Sequence, residues 1–152
     1  MKTFKDPICE REIRTRLENL RPDAARRWGV MTAGQMICHL NDAFLGVMGK
    51  RPMAIPKGFS PWQLSKPFAL YVPMKWPKGV PTRYEFDQRR GGTPPSDFPA
   101  DMTRLVAAIN AFLEQPRSFQ FQPHPLFGVM SEWEWMRWAY LHTDHHLRQF
   151  GV

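Results

Sequence analysis

SEWEWMRWAYLHTDHHLRQF, residues 131–150, is the stretch whose reading decides the fold. It opens with Ser131 and has Glu134 three residues later, the pairing of a capping box in which hydroxyl and carboxylate each satisfy the other residue's amide. No Gly or Pro interrupts it before Gly151, a helix stop. The spacing predicts one long helix. It is apolar nearly all round, through Trp133, Trp135, Met136, Trp138, Ala139, Tyr140 and Leu141, so it belongs in the middle of a packed structure. Three of the chain's histidines lie within it, at 142, 145 and 146. Side chains three or four apart stand on one helix face, so His142 can share an ion with His146 or with His145. Two imidazoles leave a metal site incomplete, and the rest of the chain must supply a third.

Three further long helices are predicted. The first begins at Asp6-Pro7, a cap followed by proline at the first helical position. Cys9, Ile13, Leu17 and Leu20 give it one apolar stripe, and Pro22 ends it. After a connection over 21–29, the second starts at Thr32, with Gln35 closing another capping box. It carries Met36, Ile37, Leu40, Phe44, Val47 and Met48 on its apolar face and fades near Gly49. The third is capped by Asp97 or Ser96 and opened by Pro99. Met102, Leu105, Val106, Ile109, Phe112 and Leu113 repeat at helical spacing until Pro116. Residues 116–128 read as a loop.

Between the second and third long helices, residues 50–96 hold nine of the fifteen prolines, counted at 52, 56, 61, 67, 73, 77, 81, 94 and 95. Regular helix is excluded through most of this segment. One short helix is expected from Ser60-Pro61 over Trp62 to about Tyr71, limited or kinked by Pro67. Phe59, Trp62, Phe68, Tyr71, Trp76, Tyr84 and Phe86, with Phe98 just beyond, predict a crossover that packs down. The architecture expected is all-α: a single domain over 1–152, a four-helix bundle in up-down-down-up order with a long Pro-rich crossover. The second and fourth long helices then run antiparallel. His39, seven residues past the Thr32 cap, falls at the depth of His142 and His146, and this supplies the third imidazole.

Composition limits the alternatives. At 152 residues with 43% hydrophobic content the chain is one folded domain. No apolar run approaches the roughly 20 residues of a membrane span. The N-terminus shows no secretory h-region, and Cys9 and Cys38 form no disulfide framework, so a cytoplasmic protein with free thiols is expected. The net charge of +7 is local: residues 50–90 hold nine Lys/Arg, including Lys57, against Glu85 and Asp87, whereas the remainder balances. A solvated basic connector is the reading adopted over an anion, nucleic-acid or membrane site, and no nucleic-acid module is recognisable.

Three neutral imidazoles suit zinc, nickel, iron or copper and leave coordination positions for water or substrate. For the neighbouring polar groups two readings each stand. Asp42 orients an imidazole or is a solvated charge. Gln35 contacts a metal-bound water or serves only its cap. Cys38 is read as a small packing residue, His124 as a surface residue with a pocket rim as the alternative, and Asp144 as facing solvent or the first or third helix. Trp135, Trp138 and Tyr140 are read as core and pocket wall.

The segments MTAGQMICHL (31–40), HPLFGVMSEWEW (124–135) and HTDHHLRQFG (142–151) resemble the DinB/YfiT superfamily, in a branch of unknown function, over nearly the whole chain. The resemblance implies a four-helix bundle holding a divalent metal, zinc or nickel, on His39, His142 and His146, with His145 behind the ligands. The ending HHLRQF departs from the HHRGQ of better-studied relatives, which leaves Arg148 and Gln149 without assigned roles. It also implies a metal-dependent transferase that activates a low-molecular-weight thiol as cosubstrate, acting on a small molecule, and a homodimer. A hydrolase ranks behind a transferase. The alternatives are a non-catalytic protein that binds a metal or small ligand, and a structural bundle with satisfied core histidines.

Overall fold

The computed structural model describes residues 1–55, 58 and 61–152. Its regular elements are helical: α1 (Pro7–Glu18), α2 (Ala33–Val47), α3 (Lys66–Tyr71), α4 (Phe98–Leu113) and α5 (Glu132–Gln149). The described residues are therefore all-α, with one isolated bridge among them, between His124 and Gly128, outside the helices. Local signals place the long helices. Asp6 accepts from the Ile8 amide, and Asp97, not Ser96, accepts from Ala100 to cap α4. Both capping boxes form, Thr32 with Gln35 and Ser131 with Glu134. No helix among the described residues is long and apolar enough to cross a membrane.

The helices are joined by one continuous core. α2 packs on α4, α1 on α5, and α5 also meets α2 and α3. The α1 stripe of Cys9, Ile13 and Leu17 is buried, as are Met36, Ile37, Leu40 and Phe44 of α2 and Leu105, Ile109 and Phe112 of α4. α5 buries residues around its circumference, as its composition requires, and even Arg137 is buried. The Arg137 guanidinium donates to the Leu70 carbonyl (3.0 Å) and the Lys2 carbonyl (2.6 Å), tying α3 and the N-terminal segment to α5. These are charge-assisted bonds, the stronger kind.

The crossover differs from expectation in two ways. The predicted short helix exists as a 3₁₀ turn over Pro61–Ser65 leading into α3; its expected start at Ser60, and Phe59 and Lys57, lie outside the described residues. Pro67 sits in the first turn of α3 and does not interrupt it, because an amide there has no helical partner to lose. The crossover's aromatics do not all pack down. Phe86 is buried and Trp76 half-buried, but Trp62 and Phe68 are 63% and 72% exposed. Nor is the basic segment wholly a solvated connector. Arg51 donates to Thr93 (3.0 Å) and to the Gly91 carbonyl (2.8 Å), and Lys66 pairs with Glu134.

Asp42 anchors the end of this crossover. It is fully buried on α2, so it is neither a solvated charge nor, by its contacts, an imidazole's partner. Its carboxylate accepts from the Thr93 amide (2.7 Å), the Thr93 hydroxyl (2.8 Å) and Gln88 Nε2 (3.1 Å), with Arg51 at 3.4 Å. A buried carboxylate persists when its oxygens are met in this way. Removing it strands the donors as well as opening a void. Asp42→Ala is expected to lower stability by about 3 kcal/mol in urea unfolding followed by circular dichroism; a loss under about 1 kcal/mol would contradict the anchoring role.

Candidate metal centre

α2 and α5 bring His39, His142 and His146 together, and one ring nitrogen from each lies within 4.8 Å of the others. The Nε2 atoms of His39 and His142 are 3.1 Å apart. The ring centroids of His39 and His146 are 4.7 Å apart and those of His142 and His146 4.9 Å. His39 and His146 are buried and His142 nearly so. Burial, the largest influence on each, lowers all three pKa values below the usual imidazole range. The rings are therefore neutral at pH 7, the form that binds a metal.

Two of the three tautomers are fixed from behind. His39 Nδ1 faces the Phe86 carbonyl at 2.9 Å; a carbonyl only accepts, so Nδ1 carries the proton and Nε2 presents a lone pair. His146 Nδ1 faces Gln149 Oε1 at 3.0 Å, while Gln149 Nε2 donates to the Trp28 carbonyl at 2.9 Å. The second bond sets the amide's orientation, so His146 likewise donates from Nδ1 and presents Nε2. Such backing of ligand histidines is usual in metal sites. His142 Nδ1 is buried and has no partner among the described residues.

Two glycines make these contacts possible. Gly29 follows Trp28 with φ 76°, a conformation open to glycine, and a Cβ there would meet Gln149 Nε2 at 2.5 Å. Gly46 of α2 lies against the Phe86 ring, which a Cβ would meet at 3.0 Å, and so admits the residue whose carbonyl holds His39.

The donor set fits a divalent ion. Two nitrogens bound to one ion at about 2.1 Å stand roughly 3.0–3.5 Å apart, the separation of His39 and His142. Without an ion, a bond from His142 to His39 answers one lone pair; an ion answers three. His145 is not brought into this cluster. Its ring lies 5.2 Å from His146 and 5.7 Å from Trp28, its Nδ1 is buried without a partner among the described residues, and burial holds its pKa down to about 4. Gln35 is occupied by its capping box. Cys38 is buried, as read, and its thiol is pushed up to about 12, chiefly by burial. Asp144 faces α1, paired with Arg16 and Arg148.

The imidazoles open into a cavity of about 440 Å³, within the range of small-molecule sites. Its walls include Val47, Phe68, Trp76, Phe86, Leu126 and Trp138, with Lys75 and Arg83 also lining it. His124 is in this wall and not on the surface. Its ring stacks on Phe127 at 4.5 Å, and its Nδ1 accepts from the amides of Leu126 (3.1 Å) and Phe127 (3.2 Å). Sequence reasoning missed Phe86, whose contribution is a backbone carbonyl and leaves no residue signature. Gln149 was findable from its spacing of three after His146.

A family model described as "Protein of unknown function (DUF1569)" matches residues 10–151. Comparison with curated proteins and with solved structures gives no match.

Burial pushes the His124 imidazole down to about 3, against about 6.5 in an unfolded chain. Above pH 6.5 the ring is neutral in both states and its contribution is intact. Below that, the unfolded chain takes up a proton that the folded one refuses, so stability falls by about 1.4 kcal/mol per pH unit until about pH 3. Asn can accept the same loop amides without titrating. Between pH 6.5 and 5 the wild type is expected to lose about 2 kcal/mol more than His124→Asn in urea titrations; parallel pH profiles would refute this.

Proposed function

This chain belongs to the DUF1569 family, and we propose that it is a divalent-metal-dependent enzyme of the DinB/YfiT type. The fold proposed is a four-helix bundle in up-down-down-up order, α1, α2, α4 and α5, with α3 in the crossover. His39, His142 and His146 hold zinc or nickel. The observation that carries the reading is the convergence of three buried, neutral imidazoles, two of them fixed by Phe86 and Gln149 with Nε2 toward the cluster. A satisfied core histidine needs partners for its own two nitrogens, not two other imidazoles.

A bound ion would act as a Lewis acid, lowering the pKa of a coordinated thiol or water at neutral pH. The chain's own residues supply the remainder. Phe86 and Gln149 hold two ligand rings in orientation and raise their basicity. Trp76 and Trp138, with ring centroids 6.1 Å and 5.0 Å from His142, shield the ligand cluster from water on the cavity side. Lys75 and Arg83 offer charge to the carboxylates of a low-molecular-weight thiol. The reaction proposed is S-transfer, in which the thiol's sulfur bonds to a small electrophile and displaces its leaving group while the thiol proton passes to solvent.

One observation favours a second reading, a non-catalytic protein that binds a metal or small ligand: no carboxylate lines the cavity among the described residues. Transfer to a thiolate needs no such base, whereas hydrolysis commonly uses one. Turnover of 1-chloro-2,4-dinitrobenzene with added cysteine by the zinc-loaded protein separates the two; ligand binding without turnover would favour the second.

Metal content is the first test. Untagged protein purified without a nickel column should carry close to one equivalent by elemental analysis, and His39→Ala very little. No metal in either protein, both folded, would refute the reading. Gln149→Ala retains three ligands but frees the His146 ring, and is expected to weaken zinc affinity about 10- to 100-fold in competition with a chromogenic chelator.

A further inference from the structure

The cavity has a second polar feature that the metal reading does not use. His124 lies in the loop before α5, and its Nδ1 accepts two backbone amides at once. A nitrogen that accepts carries no proton, so in the neutral ring the proton is on Nε2. No protein acceptor meets Nε2 among the described residues, although the residue is about nine-tenths buried and lines the cavity. Nε2 is not among the nitrogens sealed from solvent without a partner, so this N–H is open to the cavity and available to a ligand oxygen. The ring cannot turn away: it stacks on Phe127 at 4.5 Å with an interplanar angle of 13° and meets Trp138 edge-on at 5.6 Å.

The rest of the wall says what kind of molecule brings that oxygen. Ala43, Val47, Met53, Phe68, Met74 and Leu126 line the same cavity, several of them reaching it from the crossover. Trp62, Phe68, Met74 and Val80 are each more than half exposed and border it. Large apolar side chains left open around one cavity mark a surface that a ligand covers. We propose that this pocket binds a largely apolar small molecule bearing a carbonyl or carboxylate oxygen, and that His124 Nε2–H donates to that oxygen. The proposal rests on the reading of this cavity as the substrate site, and it identifies the electrophile as the apolar partner. His124 is then a catalytic residue held as a neutral hydrogen-bond donor, its tautomer set by the Leu126 and Phe127 amides.

The test uses the full chain, metal-free and zinc-loaded, with butanamide, hexanamide and octanamide and the matching carboxylates, binding being read from tryptophan fluorescence. Affinity should rise about fourfold per methylene, and in the metal-free protein the amides and carboxylates should show which oxygen is preferred. Affinities that do not change with chain length, or no binding of either series, would overturn the apolar pocket. Histidine ¹⁵N NMR of the wild type should show His124 protonated at Nε2 and not at Nδ1, assigned by loss of the signal in His124→Asn, with that Nε2–H shifting on saturation with octanamide. A proton on Nδ1, or an Nε2–H that does not shift, would overturn the donor role. His124→Phe keeps the stacked ring and should lose about tenfold for octanamide and less than twofold for n-butylbenzene; equal losses would also overturn it. These results in metal-free protein that fails to take up zinc would uphold this inference while removing the metal reading, and zinc uptake without them would do the reverse.

Discussion

Much of this molecule follows from the problem of burying imidazoles. Each ring has two nitrogens, and each nitrogen must be met once water is gone. Here five histidines line one cavity with a shared cluster at its base, and the fold meets the outer nitrogens of three of them one at a time. Phe86 meets His39 from the crossover, Gln149 meets His146 from the end of α5, and the Leu126 and Phe127 amides meet His124 from the loop before α5. Two of those contacts come from connections between helices, and Gln149 is itself held by the Trp28 carbonyl in a third. The segments between helices are therefore shaped by the site as much as by the need to join helix ends.

This explains why a proline-rich crossover holds one conformation near the site. Its far end is led past α2 by Phe86 on Gly46 and fixed by the Asp42 carboxylate on Thr93 and Gln88. Earlier in the segment the Trp76 indole donates to the Ala69 carbonyl at 2.8 Å, closing the chain after α3. Prolines reduce the number of conformations the unfolded segment must give up. Its ordering then rests on a few bonds near the site, while Trp62, Phe68 and Met74 are left open beside the cavity.

The helices were legible from sequence because their signals are local. A cap and its partner lie three residues apart, as Ser131 and Glu134 do, and an apolar stripe such as Cys9, Ile13, Leu17 declares its face without reference to the rest of the chain. The meeting of His39 with His142 and His146 was legible for a related reason, since depth along a helix can be counted from its cap. What was not legible came from elsewhere in the chain. The Phe86 carbonyl belongs to the backbone, which any residue provides. Asp42 was read from its own helix, and its partners arrive from residues 88–93. His124 sits between two prolines in a polar-looking loop, the usual pattern of an exposed residue. Only the return of Leu126 and Phe127 onto its ring shows that it is buried.

That last misreading bears on how the pocket works. A histidine in a loop is ordinarily a titrating group, available as acid or base near neutrality. His124 is barred from that role by the contacts that bury it: protonating Nδ1 would cost two backbone hydrogen bonds in a low-dielectric site, so the ring stays neutral far below its ordinary range. The imidazoles at the cavity base are likewise kept neutral, by desolvation and by one another's proximity. A pocket that gathers neutral imidazoles and no carboxylate among its described walls is poorly built to shuttle protons. It is well built to present lone pairs at one end and a fixed N–H donor in its wall, with apolar surface around both. On the reading proposed above, that division suits a transfer in which a metal on the histidine cluster would activate the thiol while the apolar partner is held by its oxygen.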